Sequence, residues 1–253
     1  VETPVLQPVY GGASAAPFKT HHNALDMPLY LRIADELYLK RLLVGGFEGV
    51  YEIGKDFRNE GLSRFHNPEF TMMECYVAYK DYRWMMDLTE DLLRTAATAL
   101  HDTPTVAFEG HEIDFGGEWT RIPFFEAIEE ATGFDLYRAG ADRVYDVAAN
   151  ELGLEEVEAD MGLGGLLDEI FSETVEPTLV QPTFVTDYPI ELSPPAKKHR
   201  EKERLVERLE PVVAGREVAN AFSELNDTQD QRERFERQAR QRAAEVDADV
   251  DTE

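Results

Sequence analysis

The sequence has 253 residues with 51 acidic and 25 basic side chains, a formal net charge of −26, and one cysteine. This balance argues against a broad nucleic-acid-binding face, which depends on clustered lysine and arginine, and a lone cysteine excludes an internal disulfide. No apolar run approaches the roughly 20 residues of a membrane-spanning helix and no signal peptide is visible, so we expect a cytoplasmic protein without a membrane partner.

The acidic excess has two interpretations. Dense carboxylates could bind a basic partner, or they could keep the protein soluble in high salt, where strong screening reduces self-repulsion. The acids are spread along the whole chain, and only 7 of the basic residues are lysine. These features favour the second interpretation, a halophilic surface.

The first fifty residues predict a short strand over 1–8, a strand over 29–33 and a helix over 34–44. Asp35 and Glu36 fall in the first turn of that helix, where carboxylates suit the helix dipole. The glycine- and alanine-rich stretch between the strands lacks the spacing of a phosphate-binding P-loop. We therefore interpret it as a close-packed loop.

The next segment predicts a hairpin. Residues 53–60 and 70–76 alternate and are rich in β-branched or aromatic side chains, with turn-forming residues between them. Side chains two apart share a strand face, so Arg58 and Glu60 should point the same way. One face of the second strand carries Phe70, Met72, Glu74 and Tyr76. Such a face is too polar for a core and predicts a floor for a charged, ring-bearing ligand.

A strongly amphipathic helix is predicted over 81–101, followed by a small hairpin over 105–115. Residues 103–177 as a whole are interpreted as a helical insertion without chemistry. Its short helices are predicted at 123–131, 141–152 and 165–175. A β-rich stretch over 178–188 leads to the most basic segment, residues 194–207. That segment is either a mobile surface loop or a loop that faces a phosphate-bearing substrate.

A second hairpin is predicted over 205–213 and 216–225, with its turn at an Ala-Gly pair. Glu210 and Glu217 stand on either side of this turn, and pairing of the strands brings such carboxylates close together. Two close carboxylates repel each other unless something neutralises them. A hard divalent cation would do so.

The second strand of this hairpin has a polar and aromatic face. It carries Asn220, Phe222 and Glu224. Glu217 has the wrong parity to share that face with Glu224 in an unbroken strand, so a bulge or a twist is needed if both acids serve one site. A polar helix is predicted after the hairpin, over 228–245.

Together these side chains suit ATP and a small cationic substrate. A triphosphate needs cations and a metal, a nucleobase needs an aromatic surface, and an amino acid needs paired acidic and amide groups. No cluster of histidine and cysteine suggests zinc, and no nucleophile–base pair is apparent. We therefore expect catalysis by positioning and by electrostatic stabilisation of phosphate charge.

Several segments resemble known motifs. The segment Glu2-Thr3-Pro4 resembles the end of motif 1 of the class II aminoacyl-tRNA synthetases. Motif 2 of these enzymes is resembled by two segments, Phe57-Arg58-Asn59-Glu60-Gly61 and His66-Asn67-Pro68-Glu69-Phe70-Thr71. This chain resembles the bacterial-type lysyl-tRNA synthetases in particular at four of its segments, residues 31–34, 36–41, 45–48 and 215–226. The resemblance runs with few breaks over residues 1–100 and 178–235.

The resemblance implies an α+β fold, with an antiparallel sheet flanked by helices and a helical insertion at about 103–177. Motif 3, which would supply a Gly-rich strand, a helix and a second ATP-clamping arginine, is absent, so the sheet is expected to be incomplete. The N-terminal anticodon-binding barrel is also missing. We therefore expect residues 1–253 to be a partial catalytic domain that is inactive alone.

The implied function is that of a lysine–tRNA ligase. Such an enzyme activates L-lysine with ATP and transfers it to the 3′ end of tRNA(Lys), and it forms a homodimer through the motif 1 region. Two alternatives stay open. One is a shortened paralogue that lysylates a protein such as an elongation factor, and the other is a non-catalytic truncated subunit.

The resemblance implies ATP-binding roles for the first hairpin. The implied residues are Arg58, Glu60, His66, Asn67 and Phe70. Arg58 would be catalytic, since it would hold the α-phosphate and the lysine carboxylate and stabilise the transition state. Phe70 would stack on adenine and His66 would meet the outer phosphates. Many bacterial members have arginine where this chain has Phe65, so one phosphate contact is either missing or supplied by Arg64.

The resemblance also implies the remaining ligands. Glu210 and Glu217 would hold Mg²⁺. The implied lysine-binding residues are Gly12, Glu36, Glu74, Tyr76, Asn220, Phe222 and Glu224. Within this set, Gly12 and Glu36 would bind the α-ammonium group. Tyr76 and Glu224 would bind the ε-ammonium group. Related aspartate enzymes have arginine at the position of Glu224, so a carboxylate here inverts the preference.

Overall fold

The structure, a computed structural model, describes residues 1–13, 15–158 and 160–236. It contains two compact units, Val1–Lys80 and Asp81–Glu253. Both combine helices with sheets, which confirms the predicted α+β class, while the incompleteness of the sheet stays a prediction. Among the described residues, no helix is both long and apolar enough to span a membrane.

The first unit contains a small sheet, one helix and a long hairpin. Its elements are β1 (Leu6–Gln7), β2 (Lys19–His22), β3 (Met27–Leu31), α1 (Glu36–Val44), β4 (Gly49–Phe57) and β5 (Glu69–Val77). The small sheet is antiparallel with the order β1-β3-β2, and β4 pairs with β5. Only β2 was missed, because its Lys-Thr-His-His sequence is exposed throughout and shows no hydrophobic alternation.

The β4–β5 hairpin confirms most of the predicted strand pairing but corrects its end. Strand β4 stops at Phe57, so Arg58 and Glu60 lie in the connecting segment and do not form one strand face. The Arg58 N–H still donates to the carbonyl of Pro68 at 2.9 Å. Proline has no N–H to return the second hydrogen bond of this pair, so the ladder ends there.

The second unit contains the amphipathic helix and a four-stranded sheet. Its elements are α2 (Tyr82–His101), β6 (Thr105–Phe108), β7 (His111–Asp114), β8 (Thr120–Pro123), α3 (Phe124–Thr132), α4 (Ala141–Asp146) continuing as a π-helical turn (Val147–Glu151), α5 (Leu163–Thr174), β9 (Thr183–Thr186), β10 (Arg208–Val212) and β11 (Ala221–Phe222), with 3-10 turns at Glu176–Thr178 and Ile190–Leu192. Residues 228–236 form a further helix. The rest of the helix predicted over 228–245 lies outside the described residues.

The sheet of the second unit has the order β11-β10-β9-β8. Strands β8 and β9 are parallel, and the other pairs are antiparallel. The main core packs α3, α4 and α5 against this sheet through buried residues such as Phe124, Ile170 and Val185. Strand β8 lies inside the predicted helical insertion and was missed, because a four-residue strand containing Arg121 and Pro123 shows no clear period.

The predicted second hairpin contains the predicted bulge. Ala214 and Gly215 have φ values of 51° and 67°, as a two-residue turn with both residues in the left-handed region requires. Val212 then faces Glu217, whereas Leu209 faces Ala221. Between these two pairs, the chain advances by three residues along β10 but by four residues along the opposite segment. This one-residue shift interrupts the strand that the sequence predicted over 216–225.

The basic segment 194–207 is held by ion pairs within the second unit. Arg200 forms two hydrogen bonds to Glu207, at 2.5 and 3.0 Å, and one to Asp81 at 3.0 Å. Lys198 pairs with Asp230 at 3.0 Å. These contacts give Arg200 and Lys198 acidic partners that belong to the fold itself.

We expect Arg200→Gln to lower the free energy of unfolding by about 2 kcal/mol at neutral pH, because it leaves the buried Glu207 carboxylate unpaired. Burial alone would raise the pKa of Glu207, but hydrogen bonds from Arg200 and Ser223 and the charge of Arg200 outweigh it and hold the pKa below its usual value. The pair therefore stabilises the fold above the pKa of the unfolded chain, and this contribution is lost as the pH falls through the lower folded value.

The measurement is urea unfolding of both proteins at neutral pH and at about pH 3.5. The loss should shrink in acid, where Glu207 is protonated in the variant and increasingly so in the wild type. Arg138→Gln, at an exposed arginine of the same unit, is the matched control. A loss of equal size at both pH values would contradict the assignment.

Candidate functional site

The floor predicted on β5 is formed by half-buried side chains. Glu74 accepts a hydrogen bond from the Tyr76 hydroxyl at 3.0 Å and another from the Asp35 N–H at 3.1 Å. The Lys40 ammonium lies over the Tyr76 ring, 5.7 Å from its centroid, and also pairs with Glu36 at 2.7 Å. Acids, a phenol and a cation therefore meet beside helix α1. Burial raises the pKa of Glu74.

Gly12 and Glu36 are also brought together. Gly12 has a φ of +90°, and a Cβ atom built there would lie 2.9 Å from the Cβ of Glu36 and 3.6 Å from its Oε2. A side chain at position 12 would therefore occupy the space beside this carboxylate. The pair leaves a backbone segment and an acid side by side, an arrangement suited to an ammonium group.

The nucleotide-binding residues predicted on the first hairpin divide into two groups. The Arg58 guanidinium lies over the Phe70 ring, 5.2 Å from its centroid, and its Nε donates to the Ile33 carbonyl at 3.4 Å. In contrast, His66 and Asn67 are exposed in the connecting loop. The structure thus places a cation and an aromatic face together on the hairpin.

The connecting loop is ordered by short-range hydrogen bonds. The Ser63 hydroxyl lies 2.8 Å from the Nδ1 atom of His66 and accepts a bond from the His66 N–H at 3.0 Å. Glu60 accepts a hydrogen bond from the Ala16 N–H at 3.2 Å. The Arg64 guanidinium lies 5.6 Å from the centroid of the exposed Phe65 ring.

A buried charge cluster beneath the hairpin was missed. The Arg32 side chain is 2% exposed and pairs with Asp35 at 2.7 Å, Glu52 at 2.7 Å and Asp56 at 3.2 Å. Gly54 makes room for it, because a Cβ atom there would lie 2.0 Å from an Arg32 terminal nitrogen. The available signal was the alternation of Glu52, Gly54 and Asp56 along one face of β4.

Asp35 also corrects the predicted role at the start of helix α1. It is the N-cap residue, yet its side chain makes no capping hydrogen bond and turns to Arg32 instead. Burial raises the pKa of Asp35 to about 7, and the charge of Asp56 adds to this effect. Burial also raises the pKa of Asp56, although Arg32 and Arg58 oppose the shift.

In the second unit, Glu210 is the centre of a polar network. It accepts a hydrogen bond from the Tyr188 hydroxyl at 2.5 Å and one from the Asn220 amide at 3.3 Å, and it forms an ion pair with Arg208. Asn220 in turn accepts a hydrogen bond from Arg208 at 3.2 Å. Strand β10 fixes this carboxylate, which is 8% exposed.

Glu217 and two further acids surround this network. The pKa of Glu217 is raised to about 7, first by desolvation and then by the charge of Glu210. Burial and the charge of Glu210 also raise the pKa values of Asp168 and Glu176, which the sequence analysis missed. The negative charges here therefore exceed the positive charge of Arg208. The atoms that these acids offer as metal ligands are all carboxylate oxygens. This donor set fits a hard cation such as Mg²⁺.

The other predicted residues of the second hairpin are half-buried. Phe222 lies in β11 opposite Arg208 and packs against the main core. Glu224 follows it, and its backbone forms an isolated bridge with Ala196. The predicted site residues thus belong to two sets, one in each unit. The first set is Gly12, Glu36, Arg58, Glu60, His66, Asn67, Phe70, Glu74 and Tyr76, and the second is Glu210, Glu217, Asn220, Phe222 and Glu224.

Comparison with known proteins gives a family match. The model of the class II tRNA synthetases (D, K and N) matches residues 1–251. A lysine–tRNA ligase of Christiangramia forsetii is 57% identical over 239 residues, which are 94% of this chain and 42% of that protein. One from a Roseiflexus species is 57% identical over 240 residues, or 95% of this chain and 49% of that protein. The chain thus spans less than half the length of these relatives.

Proposed function

This chain belongs to the class II tRNA synthetases (D, K and N), and we propose that it is part of a lysine–tRNA ligase. The reaction would join L-lysine to ATP as lysyl-adenylate, release pyrophosphate, and transfer lysine to the 3′ end of tRNA(Lys). The observation that carries this proposal is the set of acids beside α1 and on β5, Glu36 and Glu74, which suits a substrate with two ammonium groups. Neither of the two alternatives is favoured by an observation.

The proposed nucleotide site is on the first hairpin. Phe70 offers a ring for adenine, and Arg58 beside it would neutralise the α-phosphate as charge develops on it. His66 would reach the outer phosphates from the exposed loop, and Glu60 and Asn67 would border the base. The positive charge of Arg58 is already in place before the reaction, so little reorganisation is needed. Positioning of the two substrates can then suffice without a covalent bond between enzyme and substrate.

Residues of each set have a proposed role in binding lysine. Gly12 and Glu36 would bind the α-ammonium group, Asn220 would assist at the carboxylate, and Phe222 would border the substrate. Tyr76 and Glu224 would bind the ε-ammonium group, with Glu74 orienting the Tyr76 hydroxyl. A carboxylate in a partly dry site favours a cation over the anionic substrate of the aspartate enzymes.

Glu210 and Glu217 are the residues that would hold Mg²⁺, with Asp168 and Glu176 adding negative charge nearby. When bound, the ion would neutralise charge on the triphosphate. The chain's own contribution is to fix Glu210 through Tyr188 and Arg208.

We further propose that the protein is cytoplasmic and forms a homodimer through the motif 1 region. Residues 103–177 would be an insertion in the catalytic domain. Residues 1–253 would cover part of that domain. Motif 3 and the anticodon-binding barrel would complete the enzyme.

Lysine-dependent ATP–pyrophosphate exchange tests the proposed function. The assay should use the full-length product of the reading frame that encodes these residues, since the relatives are more than twice as long as the matched segment. Lysine should drive exchange, and ornithine and aspartate should not. Exchange driven by aspartate but not by lysine would contradict the proposal.

The acidic surface predicts that the chain is more stable in molar potassium chloride than in dilute buffer. With 51 acids against 25 bases, unscreened repulsion opposes the compact state, and molar salt shortens the screening length to about 3 Å. Thermal melting at increasing salt, with an uncharged osmolyte at equal osmolality as the control, measures the effect. A melting temperature that falls with added salt would refute the halophilic interpretation.

A further inference from the structure

The buried charge cluster of the first unit has more negative than positive charge. Asp35, Glu52 and Asp56 all surround Arg32, and Glu74 approaches from β5. The charge of Arg58 reaches Asp56 as a second cation. Four carboxylates therefore share two guanidinium groups in a region where charge is poorly solvated, so the cluster calls for a further positive charge.

Both oxygens of Glu52 accept hydrogen bonds, whereas Asp35 and Asp56 are only partly satisfied. Glu52 accepts hydrogen bonds from Arg32 at 2.7 Å and from the Thr3 hydroxyl at 2.7 Å. In contrast, one oxygen each of Asp35 and Asp56 lies near Arg32, at 2.7 and 3.2 Å, without hydrogen-bond geometry, and the second oxygen of each is buried and accepts no hydrogen bond from any described residue. Both side chains are 0% exposed. Such oxygens are rare in folded proteins and indicate a missing partner.

These oxygens also converge. One carboxylate oxygen each from Asp35, Asp56 and Glu74 lies within 4.8 Å of the other two. A hard divalent cation takes carboxylate oxygens at about 2.0–2.6 Å, so two ligands on opposite sides of it are about 4–5 Å apart. Glu74 is only half-buried and gives the cluster an open side through which an ion and its waters can enter.

We propose that Asp35, Asp56 and Glu74 bind a hard divalent cation beneath the β4–β5 hairpin. Its ligands all belong to the first unit and include neither Glu210 nor Glu217, the residues proposed to hold Mg²⁺. It would supply the charge that Arg32 and Arg58 leave unbalanced. It would also fix Glu74, and through Glu74 the Tyr76 hydroxyl, in position. The proposal rests on the cluster and not on the lysine–tRNA ligase assignment.

The probe is Mn²⁺, titrated into the full chain at about pH 8 and followed by electron paramagnetic resonance, with Ca²⁺ and Mg²⁺ as competitors. Glu217→Gln serves as the background, so that the other proposed metal position does not contribute. We expect one Mn²⁺ site to remain in this background. Asp35→Asn or Asp56→Asn should weaken that site about tenfold or more. Asp26→Asn, at a carboxylate that is 96% exposed, should leave it unchanged.

Folding of the variants is checked independently by thermal melting in a chelating buffer. Asp35→Asn keeps the shape of the side chain and gives up one ion pair of Arg32, which retains Glu52 and Asp56, so without metal the variant should still show a cooperative melting transition. Adding Mn²⁺ should raise the melting temperature of the wild type and not that of Asp35→Asn. The proposal is overturned if the Glu217→Gln chain binds no Mn²⁺, or if Asp35→Asn and Asp56→Asn bind it as tightly as the Asp26→Asn control. Failure of lysine-dependent exchange would leave this result unaffected.

Discussion

Arg32→Met should lower the free energy of unfolding of the first unit by about 4 kcal/mol in metal-free buffer. The substitution replaces the aliphatic part of the side chain and removes the cation from a site that is 2% exposed. Asp35, Glu52 and Asp56 then remain buried without their shared partner. Breaking a buried ion pair from one side typically costs about 3–5 kcal/mol, because the remaining charge stays desolvated.

Urea unfolding followed by circular dichroism in a chelating buffer measures this loss. Arg41→Met is the matched control, because Arg41 is exposed on α1 in the same unit and should change stability by about 0.5 kcal/mol or less. Adding Asp56→Asn to Arg32→Met should recover part of the loss, since it removes one of the stranded charges. Equal effects of the two single arginine substitutions would show that the cluster does not stabilise the unit.

Glu224→Arg should abolish lysine activation while ATP binding is mostly kept. A guanidinium in place of the carboxylate would repel the ε-ammonium group, and a site built for one polar group rejects a mismatched substrate by about 10³-fold or more. The residues proposed for adenine and the α-phosphate, Phe70 and Arg58, lie on the first hairpin and not on this strand. Lysine-dependent exchange should therefore fall far more than nucleotide affinity.

The assay compares exchange with calorimetric ATP binding in the full-length product. Glu201→Arg is the control for the change in net charge, because Glu201 is an exposed acid of the same unit. Glu224→Gln should give an intermediate loss, since the amide keeps the shape but not the charge. If Glu224→Arg reduced ATP binding and exchange by the same factor, the proposed role of Glu224 in choosing the amino acid would be wrong.

Local patterns in the sequence predicted the elements that local forces determine. Helix α2 was predicted closely, and its first residue follows Asp81, whose side chain caps it through the Trp84 N–H. The turn at Ala214 and Gly215, and the bulge that follows, were also predicted from composition and parity. The pairing of β4 with β5 was predicted, but β4 spans Gly49–Phe57 and not the predicted 53–60.

What the sequence did not reveal depends on contacts between distant segments. Asp35 is an ordinary helix-start carboxylate in its local context, and contacts with residues outside the helix, among them Arg32 and Glu74, accompany its burial. Asp168 and Glu176 likewise appeared as surface charge in a helical stretch. Burial is the main cause of their raised pKa values, and the charge of Glu210, which is more than 30 residues away along the chain, adds to it.

Positions 32 and 54 are 22 residues apart in the chain, yet the residue that fits at position 54 depends on Arg32. Any side chain there would collide with the Arg32 guanidinium, which a Cβ atom would approach to 2.0 Å. Arg32 cannot move aside easily, because three carboxylates hold it. Substitutions at the two positions should therefore be epistatic: a larger residue at 54 becomes tolerable only in a background where residue 32 is smaller and the acids around it are neutral. In evolution, this part of the chain can change only by several coordinated replacements.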